Sequence, residues 1–343
     1  MNEFPIYSPK SLVKMAHGGG GSLSHELTRD IFVKHFSNPA LDAMGDSAII
    51  GIPKSHLAYT TDSYVVKPLF FPGGDIGKLA VCGTVNDLAV SGARPIYLTA
   101  GFIIEEGFPL QKLDCLVRSM AQAAHDAGVF IVAGDTKVVE KGACDGIFIN
   151  TSGIGEFFCK EPMTASRIRS GDAVIINGHI ADHGMAIMGT REGLAIETSI
   201  ESDCAPLSKL AENLLAAVPE TRFMRDATRG GLATVICEAV TGQNFGIELY
   251  ETQIPLREGT AVACELLGID PLYVANEGKL VAVVPSEKAQ TALAAMQTHP
   301  RGRDAAIIGR ALAEDIGCAS LVTHIGSKRR LAMFSGEQLP RIC

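Results

Sequence analysis

No two of the nine cysteines lie closer than fifteen positions, the nearest being Cys144 and Cys159, so the chain has no CxxC pair to hold a metal. No apolar run approaches the roughly 18 residues that would suggest a membrane span. The opening MNEFPIYSPKSLVKMAHGGGG has no apolar core of signal-peptide length. Together these absences predict a cytoplasmic chain with free thiols. Positive charge is short as well: 30 Lys and Arg stand against 38 Asp and Glu, a net charge of -8, which argues against a nucleic-acid backbone as the main partner. The usual nucleotide signatures are also missing. GGDIGKL at 73–79 resembles a P-loop, but three residues separate Gly73 from Gly77 where four are needed, and Leu79 replaces the Ser or Thr that binds magnesium. No GxGxxG fingerprint appears in 17–24 either.

What is present describes a globular chain of two domains, given 343 residues, 47% of them hydrophobic. Its 36 glycines exceed ordinary usage and predict tight turns or close backbone approach to a ligand. After a helix near 23–36, strand patterns fall at 47–52, 57–66, 96–104, 129–135 and 146–156. Helix patterns fall between them at 75–93 and 110–127. The polar stretch CKEPMTASRIRSGD at 159–172 separates this α/β unit from a second. There DAVIINGHI, FGIELYE, GKLVAVV, AAIIGRAL and CASLVTHI read as strands, and DHGMAIMGTREG, RGGLATVICEAV and 286–297 as helices. From Ser335 onward the apolar pattern stops.

Several motifs carry chemistry. HGGGGS, His17 followed by Gly18, Gly19, Gly20 and Gly21, can turn successive N–H groups into a phosphate-cradling nest, or serve as a plain linker. Asp46, Asp62, Asp87 and Asp135 recur at strand ends or on the helix between strands, where a shared cation site or ordinary turn chemistry would place them. DATRGGL at 226–232 opens a helix, its first N–H groups free for a phosphate or capped by Asp226 or Thr228. Most cysteines sit in apolar patterns that predict burial, whereas Cys343 has no packing rationale. Prenylation does not explain it, because Pro340 occupies the position that reaction needs.

HGGGGS, TTDSYVVKPLFFPGGDIGKLAVCGTVNDLAVSGARP, AGDTKVVEKG, DHGMAI, RDATRGGL, ANEGKLV and PRIC, in that order along the chain, resemble the HypE family of [NiFe]-hydrogenase maturation. Ala181 stands where that pattern has glycine. The resemblance implies two similar-sized α/β domains of the aminoimidazole ribonucleotide synthetase type. Residues 1–41 would be a glycine-rich segment and helix, 42–160 the ATP-binding and dimerisation domain, 161–334 the second α/β domain, and 335–343 a flexible tail. It implies a homodimer whose N-terminal domains share a sheet barrel. It further implies an ATP-dependent carbamoyl dehydratase: HypF loads a carbamoyl group onto Cys343, ATP drives its dehydration to thiocyanate, and HypC and HypD receive the cyano group for iron. The expected ATP and Mg2+ site comprises His17, Gly18, Gly19, Gly20, Gly21, Asp46, Asp62, Asp87, Asp135, Thr228, Arg229, Gly230 and Gly231, the four Asp binding metal. Cys343, Glu277 and Lys137 would act on the carboxamide, with Glu277 as base, although by pattern alone Glu277 reads as a turn residue.

Two other readings compete. A different small-molecule kinase or synthetase of the same superfamily would share the Asp set. Selenophosphate synthetase carries its reactive Cys near the glycine loop, and residues 11–25 contain none. A carrier that only presents Cys343 would need no cation site.

Overall fold

The computed structural model describes residues 11–14, 17, 26–38, 41, 56–191, 200–333 and 342. Gly18, Gly19, Gly20, Gly21, Asp46, Cys343 and the strand expected at 47–52 lie outside the described residues. A π-helical stretch, Thr28–Val33, runs into a helical turn at Lys34–Phe36.

In the first half, strands β1 (Leu57–Tyr64), β4 (Ala93–Glu105), β5 (Phe130–Val139) and β6 (Ile147–Phe157) form one sheet in the order β1-β6-β4-β5. A two-residue pair, β2 (Phe70–Phe71) and β3 (Gly74–Asp75), precedes helix α1 (Ile76–Val90). Strands β4 and β5 are parallel and joined by helix α2 (Leu110–Ala127). Gly128, left-handed at φ 72°, ends α2. Even-numbered residues of β1 face α1, where Tyr64 meets Thr84 at 3.5 Å. Odd ones face away: Tyr59 is 69% exposed, and Phe130 on β5 55%. Among the described residues one face of this sheet is therefore uncovered and partly apolar.

The second half holds a seven-stranded sheet in the order β13-β12-β9-β11-β7-β10-β8. These strands are β7 (Ala173–Ile176), β8 (Phe223–Asp226), β9 (Gly246–Tyr250), β10 (Leu280–Val284), β11 (Ala306–Leu312), β12 (Ala319–Val322) and β13 (Lys328–Leu331). The alternation of side chains sorts β7 and β10 onto two cores. Val174, Ile176, Val281 and Val283 pack with helices α3 (Asp182–Arg191), α5 (Gly231–Val240) and α6 (Glu258–Leu267). Ala173, Ile175, Ala282 and Val284 pack with α4 (Ser208–Ala217) and α7 (Ala289–Gln297). Every residue of β10 is buried, which its unbroken LVAVV predicts for a central strand.

Helix α1 departs from its expected one-sided pattern, since 13 of its residues are buried. The reason is its position between the two halves. Ala89 and Val90 belong to the second domain's core, while Ile76, Leu79 and Val85 belong to the first. Buried Asn86 latches the halves: its Nδ2 donates to the carbonyls of Ala205 and Glu277 (3.1 and 3.2 Å), and its Oδ1 accepts from Leu207 N–H (2.7 Å). Of the eight described cysteines, Cys82, Cys204, Cys237 and Cys264 are buried, and the other four are half-buried. Among the described residues no helix is long and apolar enough to cross a membrane.

Candidate active site

The latch sets a cavity of about 660 Å³ between the halves. Asp62 and Thr60 project into it from β1, Asp87 from α1, Asp226 from the end of β8, Thr228 and Arg229 from the turn that follows, and Glu277 from the loop before β10. Alternation puts Asp62 on the α1-facing side of β1. The neighbour of the buried Asn86, Asp87, then turns toward the cavity, where Thr60 Oγ1 donates to its Oδ2 at 2.9 Å.

The electrostatics are those of crowded carboxyl groups. Burial, with Asp62 adding to it, raises Asp87 above its ordinary value despite the Thr60 hydrogen bond. Asp226 is raised to about 7 by burial and then by Asp87. Burial, then Asp203, Asp226 and Asp62, push Glu277 well above the usual carboxylate range. Glu277 is 3% exposed, and its Oε1 has no hydrogen-bond partner among the described residues. Crowded, partly protonated carboxyls with one buried, unpartnered oxygen call for a cation. Among the described residues no three His, Cys, Asp or Glu converge closely enough to hold a metal unaided. Magnesium does not require that, because it takes one or two carboxylates and fills its shell with phosphate and water.

The remaining expected residues divide. Gly230 and Gly231, left-handed at φ 75° and 61°, begin α5 with no side-chain cap, so neither Asp226 nor Thr228 caps it. A Cβ on Gly231 would lie 2.5 Å from the Leu272 carbonyl oxygen, which ties this glycine to backbone packing beside the cavity. Asp135 and Lys137 lie on β5, the opposite edge strand from β1, at roughly three strand spacings or ~14 Å across the sheet. Lys137 Nζ sits 3.0 Å from Asp135 Oδ2 and holds that carboxyl low. With His17 they line a separate cavity of about 280 Å³. Within one chain, Asp62 and Asp87 thus share a site that Asp135 does not enter. The P-loop lookalike is an ordinary helix start: Asp75 Oδ1 accepts from Gly77 and Lys78 N–H (2.8 and 3.0 Å), filling the place of an anion.

By sequence Asp226 is only one of two possible caps of a helix start open to phosphate, and Thr60, Asn86, Asp203 and His183 are not singled out for the site. Asp226 carried a signal, a carboxyl at a strand end before paired glycines. Asp203 in ESDCAPL carried none. Ala181 is left-handed at φ 73°, the conformation a glycine would take at that position.

Residues 44–157 match the AIR synthase related protein N-terminal domain, and residues 169–319 the AIR synthase related protein C-terminal domain. A paired-domain fold with an acidic interdomain cavity is thus that of an AIR synthase related protein. Full-length relatives narrow the class. The chain is 50% identical over 331 residues to the carbamoyl dehydratase HypE of Azotobacter vinelandii, covering 96% of this chain and 97% of that one. A solved structure of hydrogenase maturation protein HypE in complex with ATP matches with a TM-score of 0.93 at 46% identity, over 96% of this chain and 99% of that chain. A chain from a solved HypE-HypF complex matches with a TM-score of 0.79 at 48% identity, over 92% and 100% of the two chains. The protein belongs to the HypE carbamoyl dehydratase family.

Proposed function

We propose that the chain carries a carbamoyl group on the Cys343 sulfur and dehydrates it with ATP to a thiocyanate, the source of the cyanide ligand of a [NiFe]-hydrogenase iron. The net change balances. The thiocarboxamide gives its oxygen to the phosphate released from ATP and loses two protons from nitrogen, leaving S–C≡N and ADP. ATP with Mg2+ supplies the phosphoryl group that makes the carboxamide oxygen able to leave. Asp62 and Asp87, with Asp226 beside them, hold the cation. Arg229, which forms no ion pair among the described residues, and Thr228 receive phosphate from the second domain's side. Glu277 takes a nitrogen proton. HypF loads Cys343, and HypC and HypD receive the product; the relative solved with HypF supports the first of these. The uncovered sheet face suits a homodimer closing a sheet barrel, in which one copy's Asp135, Lys137 and His17 would meet the other copy's Asp62.

The observation that carries this reading is the buried carboxyl oxygen of Glu277, without a hydrogen-bond partner among the described residues, in an interdomain cavity that also holds Asp62, Asp87, Asp226 and Arg229. The test is mass spectrometry of the peptide holding Cys343 after incubation with HypF, carbamoyl phosphate and ATP. Carbamoyl mass gained and then lost as water is expected. Carbamoylation without loss of water, ATP being present, would leave the chain a carrier only.

A further inference from the structure

Outside the cavity, a buried hydrogen-bond chain ends on the residue before Cys343. His183, fully buried on α3, has Nε2 3.0 Å from the carbonyl oxygen of Ile342 and Nδ1 2.8 Å from Ser202 Oγ. A carbonyl only accepts, so Nε2 bears the proton and Nδ1 accepts from the Ser202 hydroxyl. Ser202 Oγ in turn accepts the Cys204 N–H at 3.1 Å, which leaves the hydroxyl proton for His183. One tautomer of the imidazole therefore satisfies the whole chain. Phe71 and the imidazole meet in a T-shaped pair, with centroids 5.5 Å apart at 89°. Burial lowers the imidazole's proton affinity and keeps it neutral.

The place where this chain ends is informative. The side chain of Ile342, 3% exposed, belongs to the first domain's core together with Ile187, Cys204 and Ala275. Ala275 is two residues from Glu277, and Cys204 follows Asp203, whose carboxylate accepts the Glu277 N–H at 3.0 Å. Through His183 and Ser202 the Ile342 carbonyl is thus tied to the segment whose Asp203 holds Glu277, and Cys343 is the residue bonded to that carbonyl.

We propose that His183 is a positioning residue that docks the carbonyl of Ile342 and thereby fixes where the Cys343 thiol enters the site. This rests on the reading of Cys343 as the carrier of the reacting group. A sulfur loaded elsewhere and processed here must exchange between released and docked positions. A single neutral hydrogen bond suits that exchange, being strong enough to bias it and weak enough to break.

Alkylation of Cys343 by iodoacetamide, followed by peptide mass spectrometry with the half-buried Cys318 as internal reference, reads docking without any hydrogenase partner. His183→Phe keeps an aromatic ring but removes the donor. His183→Gln keeps an N–H near the position of Nε2. Cys343 is expected to react roughly fivefold faster in His183→Phe, the factor that one lost hydrogen bond supplies, and near the wild-type rate in His183→Gln. With HypF-loaded protein, His183→Phe should retain ATP binding and carbamoylation while loss of water slows by a similar factor, restored in His183→Gln. Unchanged alkylation in His183→Phe overturns the docking role, and faster alkylation with unchanged dehydration overturns the positioning role. If wild-type protein never dehydrates the loaded group, the proposed function fails, while the alkylation rates still judge the clamp.

Discussion

Oδ1 of Asp203 accepts the backbone N–H of Glu277 at 3.0 Å, and the two carboxyl groups are driven in opposite directions. Burial pushes Asp203 up, but Lys279, 2.9 Å away, together with the Glu277 N–H, outweighs it and holds the group low. Glu277 has no cation partner among the described residues, so burial and then the charge of Asp203 drive it high. One carboxyl held low by a cation beside one pushed high is how a site separates electrostatic support from proton transfer.

Glu277→Gln should therefore separate binding from chemistry. The amide fills the same space but accepts a proton far more weakly, so ATP binding is expected to persist while loss of water slows by about a hundredfold or more. In the wild type, Glu277 must be ionised to act as base, and its raised proton affinity delays that. Single-turnover dehydration should thus accelerate as pH rises above the usual carboxylate range. A Gln variant with the same pH profile and rate would remove Glu277 from the reaction.

Asp62→Ala and Asp135→Ala should each impair magnesium-dependent ATP turnover while leaving carbamoylation of Cys343 possible, since HypF performs that step. Their separation across the sheet adds a sharper expectation. If each site is built from Asp62 of one copy and Asp135 of another, randomly mixed variants give half mixed dimers, each with one intact site of two. About a quarter of wild-type turnover should return on mixing two inactive variants. No recovery after subunit exchange has been demonstrated would rule out a site shared between copies.

The sequence made α2 legible to the residue, because its apolar spacing is regular and a glycine ends it. It also brought Asp62, Asp87, Thr228, Arg229 and Glu277 to notice, all of which the fold gathers in one cavity. Helices α4 and α6 and strands β8 and β13 escaped, being short elements flanked by polar residues. The burial of α1 on nearly all sides was hidden for another reason: a periodic pattern reveals one apolar face, but not that a second domain will cover the other. Asp203 and His183 owe their roles to contacts between segments distant in sequence, which no local spacing encodes.

Asn86→Ala tests the latch between the halves. Asn86 is 2% exposed, and its removal leaves the carbonyls of Ala205 and Glu277 and the N–H of Leu207 without their partner. At about 1 kcal/mol for each lost hydrogen bond, roughly 3 kcal/mol of destabilisation is expected in denaturant titrations. A loss below about 0.5 kcal/mol, the range of ordinary surface substitutions, would show that the latch is dispensable.

The last expectation concerns Asp226, whose carboxyl is raised to about 7 by burial and by Asp87. Between its ordinary value of 3.8 and about 7 the folded chain keeps a proton that the unfolded chain has released. The folded state binds more protons there, so stability is full below that window and falls as pH rises across it. Above pH 7 the ionised group costs on the order of 4 kcal/mol relative to a neutral one. Asp226→Asn removes the charge with little change of shape. With a chelator present to exclude cations, its melting temperature should exceed the wild type's at pH 8, and the gain should vanish at pH 4. The same substitution should weaken magnesium-dependent ATP turnover, because a crowd of repelling carboxylates is stabilised by the cation it binds. Equal melting temperatures at pH 8 would mean that Asp226 is not strained by its neighbours. Unchanged turnover would mean that Asp62 and Asp87 hold the cation without it.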